Sequence, residues 1–270
     1  ALDSGRGDQA PPHKGMWFRS SGIPSLCPRA YAIAMRDGLS LFPNPGSSAM
    51  WIFGTGTAFH TQFQEDYLQQ LGDVFQGWWR DRDNGTVHKG TTIHDHSDTL
   101  SHLWTPKPSE DWQGTDHEYV ELEFRSEEYR LTGHCDGVLV WPGEEPEILE
   151  IKTINARGYD FVDPMNGGRA KTEHVAQVQA YMWLSGLKRA RILYLKKDLS
   201  VREVSKVLCE HVIERDEDII QSIKDMLIET SNALDVVSET GELPEKLPLC
   251  RTKSSSRARY CSMKKLCFSV

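Results

Sequence analysis

Asp136, Glu150 and Lys152 carry the strongest chemical signal in the 270-residue chain. Asp136 lies in Gly133-His134-Cys135-Asp136-Gly137, and thirteen residues separate it from Glu150, in Leu149-Glu150-Ile151-Lys152. Side chains alternate along a strand, so Glu150 and Lys152 share one face while Leu149 and Ile151 point into the core. A short turn at Pro142-Gly143 brings the preceding strand alongside, and Asp136 can stand beside Glu150. Two adjacent carboxylates suit a hard divalent cation, Mg²⁺ or Mn²⁺. Such an ion stabilises charge developing on a phosphate and lowers the pKa of bound water. Lys152, beside that water, could orient or deprotonate it, its pKa lowered by the ion and raised by the carboxylates. The bland alternative is an exposed Glu–Lys pair, because Asp followed by Glu-x-Lys is common by chance.

Other residues fall in supporting positions. Gln177 and Tyr181, in Gln177-Val178-Gln179-Ala180-Tyr181, are four apart and share a helical face. They could point at a substrate phosphate or at Lys152, or form an ordinary polar stripe. His60, in Gly54-Thr55-Gly56-Thr57-Ala58-Phe59-His60, reads as a surface or capping residue near a helix start, or as a metal ligand. Of six cysteines, Cys250, Cys261 and Cys267 crowd into the last 21 residues. This suggests metal or cluster ligation in a reducing compartment, against free thiols on an ordinary tail. Cys135 and Cys209 fall in strands and read as core thiols. His88, His94, His96 and His102 punctuate a polar stretch over 81–117. With no Cys and no second cluster to complete four ligands, it reads as an insertion or lid rather than a zinc site.

The elements that must position these groups are legible in outline. Pro28 opens a helix that Gly38 stops. After a loop through Pro43 and Pro45, helical spacing of Phe59, Phe63, Tyr67, Leu71 and Phe75 predicts a helix over about 55–79. Strands are predicted over Glu118–Arg125, Tyr129–Trp141, Ile148–Thr153, Ala190–Lys196 and Val201–Leu208, with a helix over about 173–187 among them. A long amphipathic helix is predicted over 212–238. Mixed signals in this order indicate an α/β or α+β domain with a central sheet. With 31 Lys+Arg against 39 Asp+Glu, the chain is not coated in positive charge, although a local nucleic-acid groove remains compatible. The tail is the exception: Arg251, Lys253, Arg257, Arg259, Lys264 and Lys265 stand there with no acidic residue. No run of about 18 apolar residues suggests a membrane span, and residues 1–15 read as a flexible leader.

The motifs in order, Gly56-x3-His60, Gly133-x2-Asp136, Glu150-x-Lys152 and Gln177-x3-Tyr181, resemble the RecB-like branch of the PD-(D/E)XK nuclease superfamily. Gln177 through Trp183 is also similar to the equivalent helix of lambda-type phage exonucleases. The resemblance implies an αβββαβ core over about 16–249, with a mixed sheet flanked by helices. It implies that His60, Asp136, Glu150 and the Ile151 carbonyl hold the metal, that Lys152 is the catalytic lysine, and that Gln177 and Tyr181 position substrate or lysine. Glu121 or Glu123 would at most support a second ion. Iron–sulfur members of the branch hold a 4Fe-4S cluster with one Cys before the core and three after it, implying Cys27, Cys250, Cys261 and Cys267. Cys250 departs from the usual interval, where Ala258 stands, and structural Zn²⁺ is the rival. The basic tail, with Arg257, Arg259, Lys264 and Lys265, would then lie near the DNA path. The implied activity is a metal-dependent DNA exonuclease in bacterial or phage-infected cytoplasm. Alternatives are an endonuclease on the same core or a non-catalytic DNA clamp. A second copy, or a recombination or CRISPR-adaptation protein, would be a fitting partner.

Overall fold

In the computed structural model, residues 16–41, 46–90, 93–95, 101–107, 117–198, 207–259 and 261–269 are described. The 1–15 leader, the Pro43–Pro45 loop, His96 and most of the expected Val201–Leu208 strand lie outside them.

The chain opens with β1 (Phe18–Arg19), α1 (Pro28–Arg36) and α2 (Ser47–Gln62). β2 (Phe75–Asp81) follows, then the short strands β3 (Val87–His88), β4 (Ile93–Asp95), β5 (Ser101–Leu103) and β6 (Thr105–Pro106). The nuclear part of the fold is β7 (His117–Val120), β8 (Leu122–Ser126), β9 (Leu131–Cys135), β10 (Gly137–Leu139) and β11 (Glu147–Ile154). After these come α3 (Ala156–Val162), α4 (Thr172–Ser185), β12 (Arg189–Lys196), β13 (Leu208–Glu214) and α5 (Glu217–Thr240). Two single-turn helices, α6 (Ser256–Arg259) and α7 (Lys264–Cys267), end the chain.

The main sheet runs β13-β12-β11-β10-β2-β3, with β6 and β7 also on β2, and a smaller sheet runs β1-β9-β8. β11 and β12 pair in parallel, which requires a crossover; α3 and α4 supply it. Both faces of β11 are covered, as expected for a strand at the centre of a mixed sheet. Ile148 and Ile154 join the larger core with Val178, Met182, Ile223 and Leu227, while Leu149 and Ile151 join a second core with Phe75, Trp79 and Leu193. Glu150 and Lys152 therefore occupy a covered face, not an exposed strand surface.

Several expectations need correction. The helix expected over 55–79 starts earlier, and its C-terminal part is a strand. Helical turns persist to Val74, but Gly72 at φ +57° breaks the run, and Phe75-Gln-Gly-Trp-Trp-Arg-Asp alternates buried and less buried positions. His60 consequently sits in the last turn of α2, not near its start. The strand expected over Glu118–Arg125 is two strands broken at Glu121, and Tyr129–Trp141 is two strands broken at Asp136. Residues 212–214, expected within the long helix, belong to the strand Leu208–Glu214, and that helix begins only at Glu217, where the Asp216 side chain accepts hydrogen bonds from the Asp218 and Ile219 amides. Among the described residues no helix is long and apolar enough to cross a membrane.

Candidate active site

Asp136 lies where the chain leaves the small sheet and enters the main one: Cys135 pairs with Leu122, and Gly137 with Leu149. This break turns the buried carboxylate toward β11, where its Oδ2 accepts from the Ile151 amide at 2.6 Å. Its Oδ1 lies 3.1 Å from His60 Nδ1 and accepts from Gln64 Nε2 at 3.2 Å. Tyr119 donates to the Asp136 carbonyl at 2.9 Å. The flanking glycines have steric reasons. A Cβ at Gly133 would collide with Ser20 and the Tyr181 ring, and one at Gly137 with the Phe75 ring.

Glu150, 3% exposed, approaches Lys152 Nζ at 2.5 Å through Oε1. Its Oε2 is buried with no hydrogen-bond partner. Lys152 also donates to Gln177 Oε1 at 2.9 Å, Gln177 Nε2 donates to the Tyr181 hydroxyl at 2.8 Å, and that hydroxyl donates to the His134 carbonyl at 2.6 Å. A continuous chain of hydrogen bonds thus fixes the ammonium from α4 and anchors it to β9, two residues before Asp136. Burial is the main cause that lifts the Glu150 pKa to about 7, with the Asp136 charge adding and Lys152 opposing. Burial would lower the Lys152 pKa, but Glu150 outweighs it and holds the ammonium above its ordinary value. For His60 burial likewise presses downward, and the hydrogen bond and charge of Asp136 prevail, raising it.

His60, Glu121 and Asp136 bring one ligand atom each within 4.8 Å of one another. Glu121 occupies the break between β7 and β8, as Asp136 does between β9 and β10. Its pKa is raised by burial and then by Asp136. One imidazole, crowded carboxylates and the unpartnered Glu150 oxygen make a donor set that fits a divalent cation. The sequence reading gave Glu121 little weight and overlooked Gln64. The available signal was Gln64 at i+4 from His60. Ile151 touches the site through its amide.

The remaining expected residues lie elsewhere. Cys27, Cys250, Cys261 and Cys267 line one cavity between α1 and the tail. The Arg257 guanidinium donates to the Leu26 carbonyl at 2.5 Å, beside Cys27. Lys264 lines the cysteine cavity, whereas Arg259 and Lys265 are exposed.

The raised carboxylates make a prediction for the metal-free protein. A group whose folded pKa exceeds its unfolded value of 4.5 stabilises the fold below that value and loses this contribution as pH rises through the folded pKa. Glu150, Glu121 and His60 are all raised, so all three act in the same direction. With EDTA present these three lower the melting temperature as pH rises from 5.5 to 8, whereas His174, whose pKa burial pushes down to about 3, acts the opposite way. Glu150→Gln should therefore shift the difference in melting temperature between the two pH values toward greater stability at pH 8. An unchanged difference in the variant would show that Glu150 is not the titrating group.

The mixed sheet brings two buried carboxylates and a lysine together, with α4 holding the lysine through Gln177. The sequence profile of the PD-(D/E)XK nuclease superfamily matches residues 25–268, and the chain belongs to that superfamily. Among solved structures, the chain is similar to an alkaline exonuclease (LHK-Exo) from Laribacter hongkongensis, at 14% identity over 83% of this chain and 90% of that one, with a TM-score of 0.49. It is also similar to a phage-related exonuclease from Haemophilus somnus, at 14% identity over 84% and 97%, with the same TM-score of 0.49. No curated protein sequence matches the chain.

Proposed function

We propose that the protein is a Mg²⁺- or Mn²⁺-dependent deoxyribonuclease of the RecB-like branch that hydrolyses DNA from its ends. What carries this reading is the buried Asp136–Glu150 pair, joined to a lysine that is itself held by Gln177. Asp136 and Glu150 would hold the cation, with His60 and Glu121 as further donors and the Ile151 carbonyl as an additional oxygen. When bound, the ion supplies charge for the phosphate and acidity for water. Lys152 retains its proton in the metal-free site, which favours it as a cationic donor to a phosphate oxygen or attacking water rather than as a base. Water adds to phosphorus, the P–O bond to the leaving sugar oxygen breaks, and that oxygen takes a proton. Support for end-directed cleavage is the resemblance of the Gln177–Trp183 segment to lambda-type exonucleases.

End-labelled single- and double-stranded DNA, incubated with Mg²⁺ or Mn²⁺ and with EDTA as control, tests the activity. Linear DNA should be degraded and closed circles spared; equal cleavage of circles would replace the exonuclease reading with an endonuclease one. Gln177→Ala frees the ammonium while leaving the carboxylates in place. It should slow cleavage roughly 10- to 100-fold with metal affinity little changed. A wild-type rate would remove Gln177 from the site.

The cysteine cavity fits a metal centre. Burial raises the Cys27 and Cys250 thiols, and Cys261 adds its charge to both. The centre that the resemblance to iron–sulfur members suggests is a 4Fe-4S cluster on Cys27, Cys250, Cys261 and Cys267, with zinc as the rival. The cluster would be structural, binding the tail to α1.

A further inference from the structure

A second group of metal-ligating side chains stands apart from the catalytic one. Asp81, His88 and His117 bring one ligand atom each within 4.8 Å of one another. The sheet register puts them there. Asp81 at the end of β2 pairs directly with His117 on β7, and His88 on β3 pairs with Trp79, two residues before Asp81. Side chains alternate along a strand and match across a pair, so all three lie on the face of β2 that carries Phe75 and Trp79. Asp81 and His117 are 5% and 6% exposed, and the imidazoles of His88 and His117 stand 5.6 Å apart, edge to face.

The carboxylate is already oriented. Its Oδ1 accepts from the Asp83 and Asn84 amides at 2.8 and 3.3 Å, and its Oδ2 accepts from Asn84 Nδ2 at 2.6 Å. Outer bonds of this kind fix the direction of a ligating carboxylate. The histidines within 81–117 alone could not complete a ligand set; the two residues that bracket the stretch do.

We propose that Asp81, His88 and His117 form a Zn²⁺ site that closes the root of the 81–117 insertion. Two imidazoles and one carboxylate suit zinc, leaving a fourth position for water. They suit Mg²⁺ poorly, since it prefers oxygen ligands. Within the 35 residues between Asp81 and His117, β3 and β6 both pair with β2. An ion shared by β2, β3 and β7 fastens both ends of this segment. The site shares no ligand with the catalytic cluster and does not rest on the nuclease reading.

The test uses the full chain, dialysed against micromolar Zn²⁺ with millimolar Mg²⁺ and then freed of unbound metal, with zinc counted by mass spectrometry. His88→Gln and His117→Asn should each hold one zinc per chain fewer than wild type, and His134→Gln, at an exposed histidine of β9, the wild-type number. Zinc should raise the wild-type melting temperature by roughly 5 °C, and this rise should vanish in His88→Gln. His88 is only half buried, so that variant keeps the test open should His117→Asn fail to fold. An equal zinc count and an equal thermal shift in His88→Gln would overturn the site. So would loss of the zinc in His134→Gln with retention in His88→Gln.

Discussion

Glu150→Ala is expected to lower the rate of DNA cleavage by roughly a thousandfold or more while the chain remains folded. Asp136→Ala and Lys152→Ala should do the same, and the three should differ in how they fail. Glu150 and Asp136 are buried, and the charge of Asp136 helps raise the Glu150 pKa. Removing either one relieves repulsion in the metal-free protein but strips an oxygen from the divalent ion. Their variants should therefore lose Mn²⁺ affinity together with cleavage. Lys152 contributes a proton donor. Its removal leaves the oxygens in place, with Glu150 deprived of its counter-ion at 2.5 Å. Lys152→Ala should bind Mn²⁺ and still fail to cleave. Calorimetric titration with Mn²⁺, run beside a cleavage assay on end-labelled DNA, separates the two behaviours. Near-wild-type cleavage by Glu150→Ala would sink the assignment of the site.

The convergence of these three residues was legible because it needs only two rules, alternation along a strand and the reach of a short hairpin. The pairing of Gly137 with Leu149 places Asp136 opposite Glu150 as those rules require. The Gln177–Tyr181 link followed from helical i,i+4 spacing and is realised as a hydrogen bond. Other features depend on information that local pattern does not contain. Phe59 through Phe75 recur at helical spacing, so nothing before Gly72 announces that Trp78 and Trp79 belong to a strand. Glu121 was hidden by an uninterrupted apolar alternation from Tyr119 to Phe124, which reads as one strand. The tertiary fold divides that strand between two sheets and turns the carboxylate at the division toward Asp136. Arg257 looked like one cation in a basic tail. Only the packing of the tail onto α1 gives its guanidinium the Leu26 carbonyl. Asp81 and His117 are too far apart in sequence for any motif to join them.

Cys27→Ala should lose colour and stability together. Cys27 caps the N-terminus of α1, 223 positions before Cys250, and the two thiols meet only because the tail folds back onto that helix. The apolar contacts there are few: Ala30, Ile33 and Ala34 against Met263 and Cys267, with smaller contributions around them. A centre held by four thiolates contributes its binding free energy directly to folding and closes nearly the whole chain into a loop. Protein purified without oxygen should be brown, with broad absorbance at about 400 nm from iron–thiolate ligation. The alanine variant should be colourless and melt roughly 10 °C lower or more. Cys209→Ala is the matched control. Its sulfur is as buried as that of Cys267 but faces the Val162 carbonyl at 3.7 Å, remote from the other thiols, so neither colour nor cluster should change. Colourless wild-type protein carrying an additional zinc that Cys27→Ala loses would keep the cross-link and replace the cluster. Protein without iron or such a zinc, whose four thiols react freely with an alkylating agent while it is folded, would refute both, because a ligated thiolate is shielded from attack.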